Sequence, residues 1–167
     1  RRFQIQSCVD FMGLRSATQE TPQGYIYTVS KDSEATLWRL DVKTEKAEKI
    51  GTLTLGGSAY VATLDADPTG RYLYYMPGAH GGSEAMGTPV GQYDTKTGEK
   101  RAIVKLSGFK EKYGYLPMGT FGSAVSPGGD KVYITWMGCA GGNHGGKPQM
   151  EACALTVVHV PEAMRQP

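Results

Sequence analysis

The chain is poor in the residues that most often carry chemistry. Of its 167 residues only 3 are histidine, 3 cysteine, 2 tryptophan and 4 phenylalanine. No His-x-x-x-His, Cys-x-x-Cys or Gly-x-Ser-x-Gly occurs in it, which excludes the commonest zinc, dithiol and hydrolase signatures. Without Cys-x-x-Cys-His the chain attaches no c-type haem itself. No apolar run approaches the ~20 residues of a helical membrane span. Charge of neither sign dominates, since the formal net charge is +2. The basic residues gather only in short stretches such as 43–49 and 96–101. Such runs read as solvated turns, so nucleic acid is not an expected partner.

Glycine and tyrosine are plentiful instead, with 23 and 10 copies, and they fall into a repeated phrase. Pro22-Gln23-Gly24-Tyr25-Ile26-Tyr27 returns as Pro68-Thr69-Gly70-Arg71-Tyr72-Leu73-Tyr74 and again as Pro127-Gly128-Gly129-Asp130-Lys131-Val132-Tyr133-Ile134. Each copy is a turn followed by a strand. Proline presets φ, glycine accepts the positive φ of a hairpin turn, and the alternating aromatic and aliphatic residues suit a pleated surface. A second phrase, Leu40-Asp41-Val42-Lys43-Thr44-Glu45-Lys46 and Tyr93-Asp94-Thr95-Lys96-Thr97-Gly98-Glu99-Lys100, alternates with the first. Two turns alternating at a period of roughly 45 to 60 residues describe four-stranded antiparallel units, the pattern of β-propeller blades.

The reading is therefore all-β: a partial propeller of about three blades, at about 11–54, 59–106 and 120–160 within one domain 1–167. A closed ring has typically four to eight blades, so other chains or a missing segment are expected to complete it. A self-contained twisted antiparallel sheet is the alternative. In the second blade the strands are expected at Tyr60 to Asp65, Arg71 to Met76, Pro89 to Asp94 and Lys100 to Lys105. The third has Gly122 to Ser126, Lys131 to Met137 and Ala152 to Val160, and then ends without an outer strand. Residues 1–9 alternate in Arg2-Phe3-Gln4-Ile5-Gln6-Ser7-Cys8-Val9 and read as a closing strand, or as the outer strand of an upstream blade.

Chemistry is expected on the loops between second and third strands, Pro77 to Thr88 and Gly138 to Glu151, both long and glycine-rich. Equivalent loops of successive blades leave one face of the disc, which brings together His80, Glu84, His144 and Glu151, with Tyr113 of the segment Ser107 to Tyr115 beside them. Two histidines with nearby carboxylates can hold a divalent metal or serve as acid and base. His80 and His144 are the metal candidates, and the competing reading is that the glycines merely let long loops fold over each other. His159, Trp38 and Trp136 sit in alternating strand runs and read as structural residues. Cys139 and Cys153 flank the third-blade loop and can close it as a disulfide, which suits an oxidising compartment and leaves Cys8 over. Three buried thiols in a cytosolic protein is the alternative.

Several stretches of the second and third blades are similar to a known group. Tyr75-Met76-Pro77-Gly78-Ala79-His80-Gly81-Gly82, Gly87-Thr88-Pro89-Val90-Gly91-Gln92-Tyr93-Asp94, Lys112-Tyr113-Gly114-Tyr115, Gly119 to Pro127 and Cys153 to Glu162 resemble the C-terminal blades of large exported TolB-like, WD-repeat-like propeller proteins of planctomycete-type bacteria. The resemblance covers roughly residues 60 to 163. It implies a propeller fold, export to the periplasm or beyond, and earlier blades that lie elsewhere. It supplies no catalytic residue. Two functions follow as expectations: a non-catalytic binding or scaffolding segment that engages a protein partner or ligand through one loop face, or a propeller enzyme with its site near His80 and His144. The enzyme would be a metal-assisted lyase or hydrolase or a quinoprotein-like oxidoreductase. A redox subunit is a further conceivable partner.

Overall fold

A computed structural model describes residues 14–56, 60–78, 87–140 and 152–165. The first sheet holds β1 (Leu14–Ala17), β2 (Tyr25–Ser30), β3 (Thr36–Asp41) and β4 (Lys46–Thr52). The second holds β5 (Val61–Ala66), β6 (Tyr72–Pro77), β7 (Pro89–Asp94) and β8 (Lys100–Lys105). After the short helix α1 (Phe109–Tyr113), the third sheet comprises β9 (Tyr115–Val125), β10 (Lys131–Ala140) and β11 (Ala152–His159). Strand order follows the chain in all three sheets, every described neighbour pair is antiparallel, and among the described residues the third sheet has three strands. The first strands β1, β5 and β9 lie side by side, so the sheets are stacked as consecutive blades around one edge.

The Pro-x-Gly phrase folds the same way three times. Gly24, Gly70 and Gly129 have φ of 77°, 73° and 68°, a region where a side chain would be strained. Their N–H groups donate to the carbonyls of Thr21, Asp67 and Ser126. The side chains of those three residues, each just before the proline, then accept the N–H that opens the next strand, from Tyr25, Tyr72 and Lys131. The second phrase is equally local. Asp41 Oδ1 accepts from the N–H of Lys43 and Thr44, and Asp94 Oδ1 accepts from Lys96 and Thr97. Both aspartates satisfy turn N–H groups that the sheet ladder cannot reach.

The expected alternation gives way in the middle sheet. All six residues of both β6 and β7 are buried, because this sheet is packed on both faces. Leu73, Tyr75 and Tyr93 join Tyr27, Val29, Leu37 and Leu53 of the first sheet and its exit in one core cluster. Tyr72, Tyr74, Met76 and Val90 join Val132, Ile134, Trp136 and Val158 of the third in another. Alternation is the mark of a strand with one wet face, and a blade between two others has none.

The largest departures from the expected boundaries are in the third sheet, where β10 runs on past Met137 to Ala140. β9 starts at Tyr115, where the sequence suggested an inter-blade loop up to Tyr115 and a blade from about 120. The loop is shortened by α1, whose left-handed C-cap Gly114 at φ 65° reverses the chain into β9. Pro117 is tolerated within β9 because this is the edge strand of its sheet.

Candidate functional site on the loop face

Antiparallel order places the β2–β3, β6–β7 and β10–β11 connections on one side of the stack, together with α1. The Pro-x-Gly turns and the Asp41 and Asp94 turns are on the other side. His80, Glu84, His144 and Glu151 lie outside the described residues, as do Cys8 and the strand expected at 2–9. Tyr113 is described, and it is 60% exposed at the end of α1. Its ring meets the edge of Phe109 at 5.1 Å, and Lys112 Nζ lies 5.1 Å from the ring centre. On the same side Lys31 Nζ sits 5.4 Å from the centre of Tyr60. Aromatic rings paired with cations on an exposed face are the elements of a polar contact surface. Among the described residues no three His, Cys, Asp or Glu side chains are grouped as metal ligands would be.

Asp32 anchors the first-sheet loop on this face. Burial opposes its ionisation, but hydrogen bonds from Thr36, Glu34 and Ala35 outweigh that and hold its carboxyl below the usual range. The loop is thus built around a carboxylate whose Oδ1 accepts from the N–H groups of Glu34 and Thr36.

The cysteines do not form the expected bridge. Cys139 is buried and Cys153 exposed, and the two are not bridged to each other. Cys153 lies opposite Met137 on β10, and Cys139 lies opposite Leu116 on β9. The two thiols are therefore diagonal to each other across the hairpin, not cross-strand partners, and diagonal positions are spaced wider than bridged ones. A thiol reagent should modify Cys153 in the native protein and Cys139 only after unfolding. A Cys139–Cys153 peptide recovered from non-reducing digests would overturn this register.

Three features escaped the sequence reading. The residue before each proline is small and polar, and that signal was present in the repeats. Gln92 is the second: a fully buried amide that donates from Nε2 to Tyr74 Oη at 3.0 Å and to the Met164 carbonyl at 2.7 Å, while its Oε1 accepts from Arg101 Nε at 2.8 Å. It ties the single 3₁₀ turn Glu162–Met164, beyond β11, back onto the second sheet. The third is Asp65 on β5, whose carboxylate accepts a short hydrogen bond from Ser123 on β9.

Asp65 joins two blades along their inner strands. Burial pushes its carboxyl above the usual range, and the Ser123 hydrogen bond opposes this only in part. A raised folded-state pKa means that the stabilising neutral form is fully present below the unfolded value of about 3.9 and is lost as pH rises through the folded value. Asp65→Asn should therefore raise the urea midpoint at pH 7, with the gain over the parent shrinking towards pH 4. Asp94 acts in the opposite sense. Burial disfavours its charge, but Arg71 at 2.8 Å and the turn N–H groups hold its carboxyl below normal. Its acid loss is common to both proteins and cancels in the difference. A midpoint for Asp65→Asn equal to or below the parent at pH 7 would contradict a costly buried charge.

With this geometry in hand, two solved structures share the arrangement. One is from a crystal structure of a nidogen/laminin complex, with a TM-score of 0.57 at 11% identity over 87% of this chain and 44% of that one. The other is the tricorn protease, with a TM-score of 0.57 at 14% identity over 91% of this chain and 12% of that one. The likeness concerns fold alone, and this chain spans less than half the length of either. No protein-family model matches the chain, and no curated protein does. The stacked sheets and these neighbours define a partial β-propeller.

Proposed function

We propose that this chain is a non-catalytic, protein-binding segment of an exported propeller protein, and that it engages its partner through the loop face. The observation that carries the reading is the exposed Tyr113, set against Phe109 and Lys112 at the end of α1. Large aromatic side chains with cations beside them are enriched where proteins bind one another. The structural neighbour from a nidogen/laminin complex is support from analogy, since there the similar fold belongs to a protein complex. Export rests on the resemblance to exported propeller proteins.

The test compares surface variants in an affinity capture from the source cell envelope. Tyr113→Ser, Lys31→Glu and His80→Ala address the loop face; Lys43→Glu and Lys96→Glu address the opposite turns. The expected result is a protein that the parent and the turn variants capture and the loop-face variants do not. Loss confined to the turn variants would put the binding side on the wrong face. A stoichiometric divalent metal in the purified protein, lost on His80→Ala, would instead favour an enzyme with its site near His80 and His144.

A further inference from the structure

The segment that joins the second sheet to the third is basic. From Lys105 to Gly114 it holds Lys105, Lys110 and Lys112 against one acid, Glu111, a net charge of +2 in ten residues. All three lysines are exposed, and among the described residues none of them is ion-paired. Charges on the opposite side of the stack are balanced instead. Residues 41–46 carry two acids and two lysines, and the charges at the second and third Pro-x-Gly turns are closed into the pairs Arg71–Asp94 and Lys131–Asp130. Lys112 Nζ stands 5.1 Å from the centre of the exposed Tyr113 ring, so a cation and an apolar surface are offered side by side.

The segment is fixed at both ends. The carbonyl of buried Thr88 accepts from the N–H of Leu106 at 3.1 Å, and its hydroxyl donates to the Pro117 carbonyl at 3.3 Å. Thr88 does this at φ 49°, a left-handed conformation that is costly for a β-branched residue. Between these ties the N–H groups of Phe109, Lys112 and Gly114 donate to the carbonyls of Leu106, Gly108 and Lys110. Phe109 packs on the core between the second and third sheets. The lysines therefore project from a fixed frame, and little binding free energy is lost in ordering it.

The side chains discriminate among anionic partners. Phosphate is read best by the planar fork of arginine, and this segment has none. Nucleic-acid binding rests on many phosphate contacts gathered in a stripe, and three lysines around a glutamate are not one. A five-residue helix with a single exposed ring has no apolar face to sink into a lipid surface. Carboxylates on a polypeptide suit the surface, since each meets one ammonium while an apolar neighbour in the same chain covers Tyr113. Resting on the protein-binding reading above, we propose that the segment 105–114 docks an acidic protein segment, with Lys105, Lys110 and Lys112 meeting its carboxylates around Tyr113.

The test is fluorescence anisotropy of labelled probes with the full chain. The probes are a short peptide of Asp, Glu, Gly and Leu, the same peptide with Asn and Gln for every acid, and an oligothymidine of equal charge. Phosphatidylglycerol vesicles are tested beside them by co-sedimentation. The acidic peptide should bind at least about tenfold more tightly than its amide counterpart, with the gap closing as ionic strength is raised. Lys105→Glu/Lys110→Glu/Lys112→Glu should abolish that preference. Lys43→Glu/Lys46→Glu/Lys96→Glu, the same change of net charge on the opposite turns, should keep it. Circular dichroism checks the fold of each, and Lys105→Gln/Lys110→Gln/Lys112→Gln, a milder change, should show the same loss. Equal affinity for the two peptides, tighter binding of the oligothymidine or the vesicles, or equal loss from the two charge reversals would overturn the proposal. Envelope capture separates it from the broader reading. A partner lost on Tyr113→Ser but kept by the reversal at 105, 110 and 112 would leave loop-face binding standing and overturn the acidic partner. Capture that ignores both changes, with the peptide preference intact, would overturn the loop-face reading and leave the acidic docking surface.

Discussion

Trp136→Ala should lower the stability of this protein by about 3–5 kcal/mol, the range for truncating a buried aromatic core residue. At the size of this chain that is a fall in melting temperature on the order of 10 °C. Trp136 is 2% exposed and packs with Tyr72, Tyr74, Met76 and Val90 of the second sheet. Its indole Nε1–H donates to Thr156 Oγ1 at 2.9 Å. Truncation removes the largest side chain between two blades and leaves the buried Thr156 hydroxyl without its donor. Trp136→Phe should keep most of the packing and cost about 1–2 kcal/mol for the lost hydrogen bond and the smaller ring. Trp38 is the internal control. Its indole donates to Ser30 Oγ at 2.7 Å, but it is only partly buried on the outer face of the first sheet. Trp38→Ala should therefore cost clearly less than Trp136→Ala in the same denaturant series. Equal losses would mean that the interface between the second and third sheets is not packed as described.

The second large effect is expected at Gln92, and its cause is polar. Gln92→Leu keeps the volume and removes the amide that joins Tyr74, Met164 and Arg101. Leaving a buried partner unsatisfied costs about 1–3 kcal/mol. The Tyr74 hydroxyl is buried, with burial raising its pKa to about 12, so it cannot turn to water. The Met164 carbonyl keeps a contact of 3.4 Å from Arg101 Nη2. A total loss of about 3 kcal/mol is expected on these grounds. Beyond the global loss, the variant should speed proteolysis and amide exchange at 162–165, because the 3₁₀ turn loses its main tie to the second sheet. If the global stability falls while exchange at 162–165 stays as in the parent, Gln92 supports the core alone and the docking of the C-terminal turn has another cause.

The turns were legible in the sequence because their physics is contained in a few neighbouring residues. Gly24, Gly70 and Gly129 announce a positive φ, the prolines preset the residue before them, and Asp41 and Asp94 bond to N–H groups two and three residues on. Knowing the turns placed most strand ends: β7 and β8 start and stop at the expected residues, and β5 and β6 are each shifted by one. The residues expected to carry chemistry were harder, because no rule of neighbouring residues gives a long glycine-rich loop one geometry, and of His80, Glu84, His144 and Tyr113 only Tyr113 has a described environment.

What only the tertiary structure decided depends on residues far apart in sequence. The burial of both faces of β6 and β7 requires sheets on either side. The bond from Gln92 to Met164 spans 72 residues, and that from Ser123 to Asp65 spans 58. The two thiols missed each other because the register of β10 against β11 is set by which side chains enter the core, Ile134, Trp136 and Val158, and this puts Met137 opposite Cys153. A strand's own residues state that it can pair, and its turns state where it begins. Which side chain it meets, and whether its second face is wet or dry, is settled by the neighbouring blade, whose position no local pattern encodes.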